Sequence, residues 1–424
     1  MKIAVIGGGI SGMSAAYYLS KKHDVTLFES SDRLGGHTAT VDVDDNGKTI
    51  AIDTGFIVFN DWTYPNFNAL LDELGVDSQP TQMSFSVSDR ASAIEYAGTN
   101  LNTLFGRRRN LFSLKYLKML KEIMIFNKEV EGHLDQLGES GQITLGEYLQ
   151  NYSYSEAFKR LYIVPMGSAI WSVKQSDMLK IPLNFFVKFF RNHGLLNINK
   201  RPQWRVIKGG SRAYIEPLIQ RYKDKVRLNT PVYEVDRNIT GSYIKLQTKS
   251  GTEIFEHVVF SCHSNQALAC LKDASALEKE ILAAIPYSDN EVVLHTDQSV
   301  LPKTKRCWSS WNVSLGDKNE IPCLTYNMNI LQSIQSKKTY CVSLNQSDDI
   351  DSQKVIGVYN YEHPIFTVKG INAQTRWEEI NGKMNTWFCG AYWRNGFHED
   401  GVWSARRIDI EMNNDAHKPI FING

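Results

Sequence analysis

The chain begins "MKIAVIGGGISGMSAAYYLSKKHDVTLFES", and residues 2–30 of that stretch constrain the fold more than any other. Four apolar residues, Ile3 to Ile6, run directly into glycines at G-x-G-x-x-G spacing: Gly7, Gly9 and Gly12. This order predicts a buried strand, a tight turn, a helix over 11–22 and a second strand, "VTLFE", ending in an acid. Gly7 permits the turn, Gly9 lets a pyrophosphate approach the backbone, and Gly12 lets the helix pack on the strand. The helix N-terminus, with Ile10 and Ser11 in its first turn, directs unpaired N–H groups at the phosphates. Glu29, followed by Ser30, supplies a carboxylate for the ribose hydroxyls. The expectation is an α/β fold with a Rossmann-type dinucleotide site.

Composition narrows the function. The 424 residues allow two or three domains, and the net charge of +1 provides no basic field for nucleic acid. The six cysteines form no C-x-x-C pair, so no metal site is expected and a reducing compartment is. There is no signal-peptide pattern and no run of about 18 apolar residues, which predicts a cytoplasmic protein without a membrane span. Peripheral binding at the inner face of the membrane stays open.

The residues after Glu29 select the nucleotide. "ESSDRLGGHTAT" places Arg33, Gly35, Gly36, His37 and Thr38 directly after the ribose acid. This resembles the E-x-x-x-R-x-G-G-[RH]-x extension of the flavin amine oxidase and phytoene desaturase superfamily, in which the added glycine turn passes under the flavin end of FAD. The resemblance implies FAD rather than NAD. His37 stands where amine oxidases usually carry Arg, which shifts the resemblance toward carotenoid-desaturase-like relatives. "AIDTGFIVFN" (51–60) resembles the strand that carries a glycine past the isoalloxazine ring, here with Asp53, Gly55 and Phe56. "WRVIKGGSRAYIEPLIQRY" (204–222) and the alternating strands after it resemble the second FAD segment, with a backbone group near Val232 at the adenine. "TWFCGAYWRNGFHEDGVWSARRIDIEM" resembles the third, in which Gly390 ends a strand and Asp400, Gly401 and Val402 open a helix aimed at the flavin. Ala391 occupies the place of the family's usual ribityl-binding acid. No S-G-G-C-Y stretch is present, so non-covalent FAD is expected. The implied organisation is a discontinuous FAD-binding domain (1–60, 205–275, 385–424) and an interleaved α+β substrate domain (61–204, 276–384).

Further segments, among them "YIVPMGSAIWS", "CWSSWNV", "LTYNMNILQ" and "GFHEDGVWS", look like bacterial flavoproteins found with cyclopropane-fatty-acid synthases. This resemblance implies oxidation or desaturation of a lipid acyl chain and a methyltransferase partner of the cyclopropane-fatty-acid-synthase kind. Residues 105–128 carry seven basic side chains against one acid, Glu122, with Leu111, Leu114, Leu117, Leu120 and Met124 at helical spacing. That reads as a basic amphipathic helix, either lying on an anionic membrane or covering a core with its leucine stripe. "PLNFFVKFFRNHGLL" (182–196) reads as a membrane-dipping mouth, an acyl-tunnel lining or plain core. For chemistry, the family places a flavin-facing aromatic three positions before the last FAD glycine. Counting back from Gly401 puts His398 there, beside Glu399, and these two are the candidate catalytic residues; otherwise they tie down their loop. His295 is a weaker candidate, and Trp171, Trp308, Trp311, Tyr326 and Trp393 are candidate pocket walls. Competing readings are an amine or amino-acid oxidase, a redox-neutral isomerase, and a non-enzymatic flavoprotein partner of a lipid methyltransferase.

Overall fold

The computed structural model describes residues 1–137, 143–171, 173, 175–197, 200–237, 243–316 and 323–415. Ser172, in one of the family-like segments, and residues 416–424 of the expected FAD-binding domain lie outside the described residues.

The opening strand Lys2–Ile6 is apolar on both faces and lies at the centre of a five-stranded parallel sheet. The order across this sheet is Val226–Arg227, Asp24–Phe28, Lys2–Ile6, His257–Phe260, Thr386–Phe388. Three distant stretches of chain therefore build one sheet, every adjacent pair parallel. The helix Ile10–Leu19 is buried along its whole length, between this sheet and the closing helix His398–Asn413. It stops short of the sequence expectation, because the N–H groups of Lys21 and Lys22 bond back three residues, to Tyr18 and Leu19, in tighter turns. Gly12 is where the helix meets the turn. A Cβ there would lie 1.9 Å from the Gly7 carbonyl oxygen, so no other residue fits without displacing backbone.

A second, seven-stranded sheet runs Val355–Pro364, Tyr287–His295, Cys341–Leu344, Cys323–Asn327, Trp311–Leu315, Phe85–Asp89, Ile94–Ala97. It is antiparallel except where Trp311–Leu315 pairs with Phe85–Asp89. Helices between residues 114 and 192 pack near it around Tyr116, Phe126, Tyr148, Phe158, Phe186 and Phe190.

Two expectations change here. Residues 105–128 are not one helix: Arg108–Phe112 is a 3₁₀ turn, and Ser113 starts a new helix, Leu114–Leu137, by accepting a hydrogen bond from the Tyr116 amide at 3.3 Å. Nor does the leucine stripe face the core. Tyr116, Met119, Phe126 and Val130 are buried, whereas Leu111, Leu114, Leu117 and Met124 are exposed. The larger aromatic side chains remove more apolar area from water and so win the inward face. In the 182–196 segment, Phe186, Phe189 and Phe190 are buried and Phe185 is half-buried, while Lys188 and Arg191 face solvent, so the phenylalanines point inward. His295 is a satisfied strand histidine. Its Nε2 pairs with Ser343 Oγ at 2.8 Å, its Nδ1 accepts the Asp297 amide at 3.0 Å, and burial lowers it to about 4.

Candidate active site

A single cavity of about 1870 Å³ runs from the glycine turn to the helical layer. That exceeds the ~300–1,000 Å³ of an ordinary small-molecule pocket, leaving space for a dinucleotide and an elongated second ligand. At the nucleotide end Glu29 Oε2 accepts the Gly8 amide at 2.6 Å, and Oε1 accepts the amide and hydroxyl of Ser31, both at 2.8 Å. The carboxylate is thus fixed before any ribose arrives. Gly9 lines the cavity, and a Cβ built on it meets no protein atom within 4 Å, so the backbone is left open where a phosphate would approach.

The second glycine turn lies on the first. Gly35 donates its amide to the Gly8 carbonyl at 2.8 Å, and a Cβ on Gly36 would lie 3.3 Å from Gly9 Cα. Both residues have positive φ, 117° and 56°, which favours glycine. Arg33 staples this loop by donating to the carbonyls of Gly36 (3.0 Å) and Thr38 (3.1 Å). Gly55, in the irregular stretch just after the strand Lys48–Asp53, brings that stretch against it, since a Cβ there would lie 2.2 Å from the His37 carbonyl oxygen. Phe56 follows into the cavity wall.

His398 stacks beneath Phe56, ring centroids 3.5 Å apart, and also lines the cavity. Its Nε2 lies 3.0 Å from Thr38 Oγ1 and 3.2 Å from Tyr214 OH, and these two hydroxyls bond to each other. Burial lowers His398 to about 3, so the imidazole is neutral at physiological pH. Glu399 turns the other way. Its Oε1 accepts the side-chain and backbone N–H of Asn66 (2.6 and 3.2 Å), and its Oε2 accepts the Phe67 amide (2.9 Å). It therefore caps the N-terminus of the helix Pro65–Leu74, and burial raises it to about 7. Asp400 accepts the amides of Phe397 (2.9 Å) and Asn395 (3.2 Å), with burial raising it to about 6. The fold thus separates the candidate catalytic pair, with His398 on the cavity and Glu399 on a helix cap.

The cavity brings together Gly7, Gly9, Ile10, Ser11, Glu29, Ser30, Gly35, Gly36, His37, Gly55, Phe56, Gly390 and His398. Gly12, Arg33, Thr38, Val232, Glu399, Asp400, Gly401 and Val402 do not line it. Gly401 is pressed onto the opening helix, where a Cβ would come within 2.7 Å of Ser11 Oγ. Of the candidate wall residues, Trp171, Trp311 and Tyr326 line the cavity and Trp308 and Trp393 do not. Asp53 sits beside the site rather than in it. Its Oδ1 accepts the Ser211 amide and hydroxyl, both at 2.8 Å, tying the end of the strand Lys48–Asp53 to the glycine pair at 209–210; the strand expected over 51–60 is broken after Asp53, and Phe59–Asn60 belongs to a different sheet.

Sequence reading missed a cluster of histidines. His37, His263 and His363 line the cavity with ring centroids 5.2 Å (His37–His363) and 6.4 Å (His37–His263) apart. Burial lowers all three, and His37 Nε2 is shut from solvent without a partner among the described residues. They come from a loop, a sheet exit and a strand end, so no local spacing announces them. The far half of the cavity is walled by Tyr162, Trp171, Phe189, Leu196 and Phe366. Among the described lining residues the only carboxylates are Glu29 and Glu362, and His263 holds the latter at 2.8 Å.

The sequence model of the flavin containing amine oxidoreductases matches residues 10–310. The chain belongs to that family. FAD is the cofactor of this flavoprotein, and the residues present fit it: the open Gly9 cradle, the preset Glu29 carboxylate and the orphaned His37 nitrogen all face one cavity. The flavoprotein is 25% identical over 254 residues to a candidate flavin-containing monoamine oxidase, AofH, of Mycobacterium tuberculosis, covering 56% of this chain and 52% of that one. It thus spans about half the length of the curated relatives it matches. Its fold is shared by cyclohexylamine oxidase of Brevibacterium oxydans IH-35A, with a TM-score of 0.67 at 14% identity over 98% of this chain and 99% of that one. A CLA-producing fatty acid isomerase from P. acnes also shares it, with a TM-score of 0.65 at 14% identity over 97% and 98%.

Proposed function

We propose that the protein is an FAD-dependent oxidoreductase that acts on the acyl chain of a lipid. The observation that carries this reading is the shape and lining of the cavity: continuous with the nucleotide cradle, long, aromatic and aliphatic in its far half, without a described carboxylate there to pair with an ammonium group. An alkyl chain satisfies such walls by burial alone. That a fatty acid isomerase shares the fold is compatible with this reading.

Bound FAD supplies a two-electron acceptor for a C–H bond held in the cavity. The chain's own residues hold the substrate and keep water out. Trp171 packs on Phe189 (centroids 4.7 Å apart) and Phe185 on Phe366 (5.2 Å), closing an apolar sleeve. Of the histidines on the cavity, His193 has both nitrogens engaged, by Thr63 Oγ1 at 3.1 Å and the Phe189 carbonyl at 3.0 Å. His398 bonds through Nε2 alone among the described residues, leaving Nδ1 for a ligand. Because its conjugate acid is so disfavoured, we assign His398 to positioning through the Thr38–Tyr214 hydroxyl pair, not to storing a proton.

A second reading, amine oxidation, follows from the names of the relatives and structural neighbours. Anaerobic mixing of flavin-loaded protein with phospholipids bearing unsaturated or cyclopropane acyl chains decides between them. Bleaching of the oxidised-flavin band, with a new double bond in the recovered lipid, is the expected result. Peroxide formation with aliphatic amines and no bleaching by lipid would replace the lipid reading with the amine one. His398→Phe is expected to keep flavin and to slow its reduction by less than the ~10²–10⁴-fold typical of a lost general base. The rate should also lack a step near the ordinary histidine pKa of about 6.5. A step there that disappears in the variant would restore His398 as the base.

A further inference from the structure

We infer that residues 101–128, with the neighbouring turn at 303–306, form a docking surface for an anionic phospholipid bilayer, placed so that the cavity opens onto the lipid. The inference deepens the acyl-lipid reading and rests on it for the identity of what enters.

The helix Leu114–Leu137 presents three faces. Tyr116, Met119, Phe126 and Val130 are in the core. Leu120, Ile123 and Asn127 line the cavity. On the third face Leu114 is 85% exposed and Met124 60%, continuing into Phe112 at 88% and Leu101 at 76% on the segments just before. With Leu111 and Leu117, these are six of the sixteen large apolar side chains that the described residues leave exposed. So dense a group is unusual on a surface meant for water alone.

Charge points to the occupant. Arg108, Arg109, Lys115, Lys118, Lys121 and Lys128 are exposed around these apolar tips. The one acid of the segment, Glu122, is buried and accepts the amide and hydroxyl of Ser155; only Lys118 reaches it, at 3.9 Å. Among the described residues Arg109, Lys115, Lys121 and Lys128 form no ion pair. Exposed Lys305 and Arg306 belong to the same surface, since a Cβ on Gly106 would lie 3.2 Å from Arg306 Cγ. Apolar tips surrounded by cations match the acyl boundary and headgroups of an anionic bilayer. A second copy docking by the same face would set cations against cations.

The cavity lies beside this face. Leu101, Met124 and Lys128 are exposed and also line the cavity, and exposed Lys200 and Arg201 continue its basic rim. No helix among the described residues is long and apolar enough to cross a membrane, so the proposed contact is peripheral.

The test uses flavin-loaded full-length protein in flotation assays with extruded vesicles. Binding to phosphatidylglycerol–phosphatidylcholine vesicles is expected, with little to pure phosphatidylcholine, and it should weaken as salt rises. Each basic side chain lost near the surface should cost about five-fold in partitioning. The triple change Arg109→Glu, Lys115→Glu, Lys121→Glu should therefore weaken binding by at least ~100-fold. Phe112→Ser with Leu114→Ser should weaken it at every salt concentration. Unchanged melting temperature and flavin content would show that these variants fold. Absence of wild-type binding, or equal binding to both vesicle types, overturns the inference. So does a wild-type dimer in sedimentation velocity that the Leu114→Ser variant disperses, since a second copy then covers this face. Flavin reduction by detergent-dispersed lipid without vesicle binding refutes the docking surface and keeps the substrate reading. Vesicle binding without any lipid-driven reduction does the reverse.

Discussion

Glu29 is the point at which the nucleotide reading can be broken most cleanly. Its carboxylate already accepts four hydrogen bonds, from the Gly8 amide at 2.6 Å, from the amide and hydroxyl of Ser31 at 2.8 Å each, and from the Ser30 hydroxyl at 3.2 Å. With about two lone-pair sites per carboxylate oxygen, Oε1 is fully occupied and Oε2, which accepts only the Gly8 amide, keeps one strong acceptor position for a ligand hydroxyl. A charge-assisted bond is worth about 1.5–3 kcal/mol, so Glu29→Ala should weaken FAD binding by roughly 10–150-fold. Glu29→Gln is the sharper probe. Its amide NH₂ must face either the Gly8 N–H or the Ser31 N–H, two donors against each other, so keeping the side-chain volume should rescue little. Apoprotein titrated with FAD and followed by flavin fluorescence quenching gives both affinities, and circular dichroism checks the fold. If both variants bind FAD within about three-fold of wild type, Glu29 is a turn-forming residue and the ribose lies elsewhere.

The paired glycine changes should separate fold from cradle. Gly9→Ala, whose methyl meets no protein atom within 4 Å, should melt like wild type but retain little flavin, whereas Gly12→Ala, 1.9 Å from the Gly7 carbonyl, should fail to accumulate as folded protein. Buried Arg237 holds Glu278 (2.5 Å and 2.9 Å, side chains 1% and 4% exposed) and also Asp273 (2.9 Å), so Arg237→Met should cost about 3–5 kcal/mol, and urea melts should show only part of it restored by adding Glu278→Leu, because Asp273 stays without its partner and the Ser275 amide loses its acceptor. His193 is held with Nδ1–H donating to the Phe189 carbonyl, and burial lowers it to about 4. The unfolded chain therefore binds a proton between about pH 6.5 and 4 that the folded chain does not, so its contribution is fully present above 6.5 and fades as pH falls toward 4. His193→Gln should flatten stability against pH by up to about 1.4 kcal/mol per unit in that window, and an unchanged slope would show that the imidazole protonates freely in the folded state.

What was legible in the sequence divides along a physical line. The nucleotide cradle is made of backbone, and backbone geometry writes itself locally. Gly7, Gly35 and Gly36 hold positive φ, Gly12 and Gly55 stand where a Cβ would strike a carbonyl, and each occurs at short spacing from its partners. Even the pairing of three distant segments into one sheet was reachable, because each carries its own short apolar strand. The roles of His398 and Glu399 were not. Adjacent in the chain, they start a helix that sends successive side chains in different directions, one to the cavity and one to the cap of Pro65–Leu74. The leucine stripe of 111–124 left two readings open for a related reason: periodicity identifies a face but not which face is buried, and Tyr116 and Phe126 claimed the core. The substrate half is harder still, because the side chains that would grip an alkyl chain are those that would fill a core. Phe186 and Phe189 lie within one turn of the same helix and both are buried; Phe186 stacks on Phe190 in the core, and Phe189 lines the cavity against Trp171. No property of the two residues differs, only what stands opposite them: Phe126, sixty residues earlier, packs against Phe186, and Phe397, about two hundred residues later, stacks on Phe189.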